Sequence, residues 1–191
     1  MRFICVYKSN HFHGVKMPIE RTGLIKFAGN EQTVVGPDIV VGQKAPEFWI
    51  QKNDWSMSKG LKESRGKVRI IAAVPSLDTA VCDRETRRFN LEAASLGKKI
   101  AILVISMDLA AAQKRWCGAA GVEQVLTFSD SAKSDFGKKY GVLMKEVHLL
   151  RRAVFVVDRK GIVTYAAYMA VNGDEPVYED VLNAARKALV K

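Results

Sequence analysis

Cys82 is the residue in this chain whose type and surroundings are best suited to covalent chemistry. It follows a run of buried-strand character that ends at Pro75, and it falls in the first turn of a predicted helix. Free backbone N–H groups and the positive end of the helix dipole lie there, and both favour a thiolate over a thiol. Thr79 stands three residues earlier, so its hydroxyl can lie on the same side as the sulfur. This arrangement predicts a nucleophilic thiol at Cys82 rather than a small buried core residue.

Two further cysteines, Cys5 and Cys117, accompany Cys82, and three are too few for a disulfide scaffold in a chain of 191 residues. The sequence contains no Cys-x-x-Cys pair and no Cys/His cluster with the spacing of a zinc site. His11 and His13 form only a weak His-x-His signal. The cysteines are therefore predicted to be either inert core residues or thiols with chemistry of their own, and neither a metal nor an organic cofactor is required.

The composition limits the classes of partner. Hydrophobic residues make up 48% and charged residues 26%, which is an ordinary globular mixture. The net charge is +10, yet the lysines and arginines are dispersed, with no long basic run and no basic stretch interleaved with aromatic residues. This argues against nucleic-acid binding. No segment has the length of a membrane span or the layout of a signal peptide, so we expect no membrane partner and a cytoplasmic protein.

The elements that must position Cys82 follow from the hydrophobic pattern. Residues 68–74 and 100–105 have the character of buried strands, and a helix is predicted between them over about 80–96, ended by Gly97. Asp108 is predicted to cap a second helix that carries Cys117. Later elements are a strand over 125–128, a short helix over 131–140, a hairpin of strands over 153–157 and 162–168, and a last helix opened by Pro176.

The order of these elements predicts an α/β protein with a central mixed sheet flanked by helices on both faces, which is the thioredoxin-like plan. Residues 24–28 and 32–35 are two short extended runs on either side of Gly29-Asn30, so an added N-terminal β-hairpin is predicted. One domain is expected over residues 21–191. Residues 1–20 show no periodicity and are expected to form a mobile N-terminal extension.

The run from Pro75 to Cys82 has the form PxxxTxxC, which resembles the peroxidatic motif of peroxiredoxins. More narrowly, the chain is similar to bacterial thiol peroxidases, the atypical two-cysteine branch of that family. The resemblance covers about Leu24 to Leu189. It rests also on five further segments: Lys26-Phe27-Ala28-Gly29-Asn30, Val41-Gly42-Gln43-Lys44-Ala45-Pro46, Arg87-Arg88-Phe89-Asn90, Trp116-Cys117-Gly118-Ala119 and Ala153-Val154-Phe155-Val156-Val157-Asp158.

The resemblance implies a role for each matching residue. Cys82 matches the peroxidatic cysteine, which attacks the peroxide and becomes a sulfenic acid, and Thr79 matches the threonine that orients sulfur and peroxide. Pro75 matches a proline that shields the site, and Arg152 matches the arginine that stabilises the thiolate. Cys117 matches the resolving cysteine, which would form a disulfide with Cys82. The resemblance further implies thioredoxin as the reductant and a homodimer as the assembly.

Three other readings stay open at the level of the sequence. A thioredoxin-fold oxidoreductase acting on protein disulfides would be favoured by a Cys-x-x-Cys pair, which is absent. A basic binding module without enzymatic activity would explain the net charge. A peroxidase with a one-cysteine cycle would leave Cys117 as a structural residue.

Overall fold

The computed structural model describes residues 18–190 of the chain. Residues 1–17 hold most of the predicted N-terminal extension, together with Cys5, His11 and His13, and these predictions lie outside the described residues. Glu20, at the end of the predicted extension, already belongs to a strand. Within residues 18–190 no helix is both long and apolar enough to cross a membrane.

Four α-helices and thirteen strands make up the described fold. The helices are α1 Ala80–Leu96, α2 Ala110–Ala120, α3 Asp135–Lys139 and α4 Tyr178–Leu189. The strands are β1 Glu20–Arg21, β2 Lys26–Phe27, β3 Asn30–Glu31, β4 Val34–Val35, β5 Trp49–Gln51, β6 Met57–Lys59, β7 Val68–Ala73, β8 Ile100–Ser106, β9 Leu126–Ser129, β10 Leu143–Met144, β11 Leu149–Leu150, β12 Ala153–Val157 and β13 Val163–Tyr168.

The central sheet has seven strands in the order β13-β12-β7-β8-β9-β5-β6. Strands β7, β8 and β9 run parallel, whereas β12 pairs antiparallel with β7 and with β13. A second, antiparallel sheet has the order β1-β4-β10-β11, and β2 pairs only with β3. The predicted mixed central sheet is therefore confirmed, with parallel strands at its centre and antiparallel strands at both edges.

Both faces of the central sheet are covered because its middle strands are apolar on both sides. In β7, Ile70 and Ala72 belong to a core cluster shared with α1 and α4, and Ile71 and Ala73 belong to the cluster on the opposite face, which includes Phe136 of α3. Alternate residues of a strand point to opposite faces, so a strand that is buried throughout feeds two cores. The loop that follows β7 is thereby held between well-packed layers.

The predicted strand–helix–strand unit around Cys82 is confirmed. Helix α1 begins at Ala80 and ends at Leu96, and Gly97 adopts a φ of +70°, a left-handed conformation that glycine tolerates best. Cys82 and Phe89 are fully buried on the inner face of this helix. The unit places the cysteine at the carboxyl end of β7, in the first turn of α1.

The prediction that Asp108 caps α2 is wrong. Helix α2 begins at Ala110, and the carboxylate of Asp108 instead accepts hydrogen bonds from the Leu77 backbone N–H and the Ser76 hydroxyl, both at 2.7 Å. A further bond at 2.7 Å comes from the hydroxyl of Ser106. Three donors outside the helix bind the carboxylate in place of the free N–H groups of the first turn of α2. The carboxylate therefore fixes the loop that leads from β7 to Cys82.

The N-terminal hairpin exists, but its predicted turn and its second strand are wrong. Lys26–Phe27 pairs with Asn30–Glu31, and the turn consists of Ala28 and Gly29, with φ values of +49° and +81°. Two successive left-handed residues are what a tight hairpin turn requires. Val34–Val35 leaves the hairpin because both side chains are buried in the second sheet, where the strand pairs with β1 and β10.

Several shorter elements also differ from the sequence expectations. The polar stretch after β5 contains an edge strand, β6, and the chain between α3 and β12 contains β10 and β11. Helix α3 covers only Asp135–Lys139 of the predicted 131–140. Helix α4 begins at Tyr178 rather than at Pro176, which leaves Val177 exposed, and its buried face includes Val181 and Ala185.

Candidate active site

The sulfur of Cys82 lies at the end of α1 that carries the free N–H groups. The thiol is fully buried, and its side chain belongs to the core cluster beneath α1 and α4. Thr79 adopts an extended conformation directly before the helix, and its carbonyl accepts the first helical hydrogen bond, from Asp83, at 2.9 Å. Cys82 is therefore in the first turn, where the helix dipole favours negative charge.

The Thr79 hydroxyl contacts the sulfur directly. Its Oγ1 lies 2.8 Å from Cys82 Sγ and 2.9 Å from the carbonyl oxygen of Ser76. A hydroxyl has one hydrogen, so Thr79 donates either to the carbonyl or to the sulfur. When Cys82 carries a thiol, its S–H can donate to Oγ1. When it is a thiolate, only donation by Thr79 makes a bond, and the hydroxyl then stabilises the charged sulfur.

Arg152 provides the positive charge on the other side of the sulfur. Its side chain is 1% exposed, and Nη2 lies 3.2 Å from Cys82 Sγ. Nη1 forms an ion pair with Glu85, and Nε donates to the carbonyl oxygen of Asn172 at 3.1 Å. The guanidinium is thus held on three sides. Its neighbour Arg151 points elsewhere, with its guanidinium 4.9 Å from the centre of the Tyr168 ring.

Glu85 shares Arg152 with the sulfur, so two acidic groups compete for one cation. Burial raises the pKa of Glu85 from 4.5 to about 7, and the attraction of Arg152 offsets only part of this rise. Burial alone would lower the pKa of Arg152, but Glu85 and Cys82 together raise it. Arg152 therefore stays charged, while Glu85 can bind a proton near neutral pH.

A cavity of about 440 Å³ leads to this cluster. Pro75, Thr79 and Arg152 line it, together with Val81. The opposite wall includes residues 26–29, at the turn of the β2–β3 hairpin. A larger cavity of about 800 Å³ lies between β13 and α4, but none of the sequence-predicted site residues lines it. The smaller cavity therefore reaches the two side chains that contact the sulfur, Thr79 and Arg152, while Cys82 itself stays buried behind them.

Cys117 lies apart from this cluster. It is half-buried in α2 and lines a different cavity, of about 470 Å³, and both it and Cys82 are free thiols. Its nearest polar neighbour is Thr127, with 3.3 Å between Sγ and Oγ1. The structure thus brings Thr79 and Arg152 into contact with Cys82, places Pro75 with Thr79 and Arg152 at one cavity, and leaves Cys117 at another.

Arg87 connects the helices that carry the two cysteines. In α1 its Nε contacts both carboxylate oxygens of Asp83, at 3.0 and 2.9 Å. Its Nη1 donates to the carbonyl oxygen of Ala120 at the end of α2, at 3.0 Å, and its guanidinium lies 5.8 Å from the centre of the Trp116 ring. Arg87 thus joins α1 to the carboxyl end of α2.

A central mixed sheet with helices on both faces, and a buried cysteine in the first turn of the helix after its middle strand, define a redox protein of the thioredoxin-like class. The family model described as Redoxin matches residues 40–182. The thiol peroxidase of Halalkalibacterium halodurans is 48% identical over 165 residues, covering 86% of this chain and 98% of the relative. That of Bacillus subtilis is 48% identical over 167 residues, covering 87% and 98%.

Solved structures agree with these sequence matches. A peroxiredoxin-like protein from Aquifex aeolicus has a TM-score of 0.78 at 36% identity, over 88% of this chain and 97% of the other. The thiol peroxidase from Chromobacterium violaceum shares the fold, with a TM-score of 0.76 at 18% identity, over 87% and 97%. The chain therefore belongs to the redoxin family and, within it, to the bacterial thiol peroxidases. The resemblance and the thioredoxin-like fold predicted from the sequence are both confirmed.

Sequence reasoning missed two residues of the site. Glu85 lies three residues after Cys82, on the buried face of α1 that also presents Phe89, and a charged residue on an apolar helix face is a signal that could have revealed it. Asn172 follows β13 in a loop and accepts the backbone N–H of Arg152 through Oδ1 at 3.2 Å. No local pattern in the sequence indicates that contact.

The buried Glu85 carboxyl gives the fold a pH dependence that Glu85→Gln should remove. Between the pKa of 4.5 in the unfolded chain and about 7 in the fold, the folded state holds a proton that the unfolded chain has released. This contribution to the free energy of unfolding therefore falls as the pH rises through that window. We expect the free energy of unfolding of Glu85→Gln, relative to wild type, to increase with pH across the window in urea titrations.

Glu179 in α4 is exposed, and Glu179→Gln is the matched control. It tests whether replacing any glutamate gives the same change of relative stability with pH. A relative stability of Glu85→Gln that is constant, or that decreases with rising pH, contradicts the assignment of a proton to this carboxyl.

Proposed function

We propose that this thiol peroxidase reduces hydrogen peroxide and organic hydroperoxides through Cys82, in antioxidant defence. The observation that carries the proposal is the position of the Cys82 sulfur, between the Thr79 hydroxyl and the Arg152 guanidinium beside a small cavity. The curated relatives that are named thiol peroxidases support it. Pro75, which lines the same cavity, shields the thiol.

The first step is attack of the Cys82 thiolate on one peroxide oxygen. The S–O bond forms as the O–O bond breaks, so the sulfur is oxidised by two electrons to a sulfenic acid and the peroxide is reduced. The leaving alkoxide or hydroxide takes up a proton and departs as an alcohol or water. Thr79 orients the reacting atoms, and Arg152 stabilises the negative charge as it moves from sulfur to the leaving oxygen.

A magnitude limits what ionisation of the thiol can contribute. A free thiol with a pKa of about 8.5 is about 3% thiolate at pH 7, so complete ionisation gains roughly thirtyfold at most. Part of that gain is lost because a more acidic thiol is a weaker nucleophile. The remaining acceleration must come from donors that stabilise the leaving oxygen, and Arg152 and Thr79 are in contact with the sulfur from which the charge moves.

Cys117 then completes the cycle as the resolving cysteine. Its thiol attacks the sulfenic sulfur, a Cys82–Cys117 disulfide forms, and water leaves. A disulfide needs Cα atoms within about 7 Å, and the two cysteines lie on different helices, so local unwinding of one or both helix ends is part of this proposal. Thioredoxin is the proposed reductant that reopens the disulfide.

Three further features belong to the same proposal. We place the enzyme in the cytoplasm, where thioredoxin keeps thiols reduced, and we propose a homodimer as its assembly. Residues 21–191 act as one domain in this proposal, with residues 1–20 as an extension outside it. No metal or organic cofactor takes part.

The main test is peroxide consumption with a thioredoxin system, comparing wild type with Cys82→Ser. We expect the substitution to reduce turnover to the uncatalysed background, because serine provides no thiolate nucleophile. Cys5→Ser is the matched control and should retain the wild-type rate. Peroxide consumption that survives in Cys82→Ser would mean that the function proposed here is wrong.

Arg152→Ala separates ionisation of Cys82 from stabilisation of the leaving oxygen. We expect the rate constant for peroxide to fall about a hundredfold or more, as for loss of one preorganised donor. The thiolate fraction, followed by ultraviolet absorbance, should fall by less, since ionisation accounts for roughly thirtyfold at most.

Arg151→Ala is the matched control, since its guanidinium contacts Tyr168 and not the sulfur. Arg152→Lys tests the geometry separately, because it keeps a positive charge beside Glu85 but loses the fork of the guanidinium. If the loss of thiolate accounts for the whole loss of rate in Arg152→Ala, the proposed role in the transition state is incorrect.

Cys117→Ser distinguishes the two-cysteine cycle from a one-cysteine cycle. In wild type treated with one equivalent of peroxide, mass spectrometry should find a Cys82–Cys117 disulfide. In Cys117→Ser we expect the first equivalent of peroxide to be consumed at the normal rate, followed by loss of thioredoxin-dependent turnover and accumulation of oxidised Cys82. Unchanged turnover in Cys117→Ser would support the one-cysteine cycle instead.

A further inference from the structure

The surroundings of Cys117 include a polar pair with no part in the peroxide-binding cavity. Thr127 on β9 is buried, and its Oγ1 lies 3.3 Å from Cys117 Sγ. Asn53, in the connection between β5 and β6, donates from Nδ2 to the same Oγ1 at 2.9 Å. The hydroxyl of Thr127 therefore lies between an amide and a thiol that come from distant parts of the sequence.

The amide occupies one acceptor site of the Thr127 hydroxyl and leaves its hydrogen free to donate. An amide NH₂ group is only a donor, so the Thr127 oxygen accepts the bond from Asn53 and keeps its own single hydrogen. When Cys117 is a thiol, its S–H can also donate to Oγ1, but when it is a thiolate a bond forms only if Thr127 donates its hydrogen to the sulfur. A hydrogen bond donated to sulfur stabilises a thiolate more than a thiol.

Helix α2 is held firmly enough to keep this contact in register. One turn before Cys117, the Gln113 side chain donates from Nε2 to the Ser106 hydroxyl and to the Phe128 carbonyl oxygen, both at 2.9 Å. These bonds join α2 to β8 and β9 on the side where Thr127 lies. These bonds restrict rotation of α2 about its axis and so help to fix the distance between Cys117 Sγ and Thr127 Oγ1.

We propose that Thr127, held by Asn53, is a positioning residue that prepares Cys117 for its attack on oxidised Cys82. The inference rests on the proposed function, in which Cys117 is the resolving thiol. Thr127 acts through Cys117 and touches neither peroxide nor Cys82.

The step that Thr127 assists balances without any further reagent. The Cys117 thiolate sulfur forms a bond to the sulfenic sulfur of Cys82, the S–O bond breaks, and the departing hydroxide takes up from solvent the equivalent of the proton that Cys117 released on ionisation, so that it leaves as water. Cys82 sulfur is reduced as Cys117 sulfur is oxidised. Thr127 neither gains nor loses a proton; its hydrogen bond raises the fraction of Cys117 that is available as thiolate.

The test uses the full chain with Cys5→Ser and Cys82→Ser, so that Cys117 is the only remaining cysteine of the three. The cavity beside Cys117 gives an alkylating reagent access to the sulfur. The alkylation rate is followed against pH with Thr127 intact, with Thr127→Val and with Thr127→Ser. Thr164→Val on β13 is the matched control, because the hydroxyl of Thr164 bonds to the Val156 carbonyl and touches no thiol.

Loss of one hydrogen bond of ordinary strength lowers the thiolate fraction about fivefold. Because a less acidic thiol is a stronger nucleophile, we expect Thr127→Val to slow alkylation about two- to threefold at neutral pH. The slowing should disappear at alkaline pH, where the thiol ionises without help, and a small acceleration should replace it because the less acidic thiol is the stronger nucleophile. Thr127→Ser should restore the rate, and Thr164→Val should leave it unchanged. Asn53→Ala should slow alkylation in the same direction but less, because it removes the group that directs the hydroxyl.

A second readout uses the protein with all its cysteines, given one equivalent of peroxide. Thr127→Val should form the Cys82–Cys117 disulfide several-fold more slowly, with an unchanged rate of peroxide consumption in the first turnover. With excess peroxide it should accumulate more Cys82 sulfinic acid, because slower resolution leaves the sulfenic acid exposed for longer.

Equal alkylation rates in Thr127→Val and the parent at neutral pH, or faster disulfide formation in Thr127→Val, would overturn the inference. A difference that persists unchanged at alkaline pH would also overturn it, because it would reflect access to the thiol and not its ionisation. The alkylation result does not depend on peroxidase activity. Failure of the proposed function would appear separately, as wild-type protein that consumes no peroxide through Cys82.

Discussion

The buried positive charge of Arg152 is the constraint on which the rest of the site depends. A guanidinium that is 1% exposed is costly to desolvate unless anions and hydrogen-bond acceptors surround it. Glu85 and Cys82 from α1 and the carbonyl oxygen of Asn172 supply them. The first turn of α1 must therefore pack against the start of β12, and the sulfur cannot leave this position without uncovering the charge.

The sequence was informative wherever the site depends on neighbours along the chain. Thr79 and Cys82 are separated by three residues at the start of one helix, so their contact follows from helical geometry. Arg152 was assigned through the resemblance and not through any contact that the sequence could reveal. Glu85 was not predicted because its partner, Arg152, lies 67 positions away along the chain. Helical periodicity shows that a charged residue lies on an apolar face, but it does not identify the partner.

The elements of the fold can be separated in the same way, into those formed by local sequence patterns and those formed by contacts with distant residues. The long buried strands and α1 could be predicted because each extends over enough residues to show a clear apolar pattern. The short strands β10 and β11 have two residues each, too few for a pattern, and they form because they pair with each other and with β4. The prediction for Asp108 was wrong because its carboxylate accepts hydrogen bonds from the loop after β7, which is distant in sequence, instead of capping α2.

The β2–β3 hairpin forms one wall of the cavity that leads to Cys82, yet its strands pair only with each other. Its turn at Ala28 and Gly29 faces the cavity from outside the sheet that supports the thiol. Substitutions in this hairpin can change which peroxides enter while leaving the charge balance around Arg152 untouched. One wall of the cavity can therefore evolve without rebuilding the residues that contact the sulfur, although Thr79 and Arg152 belong to both the cavity and the reacting site.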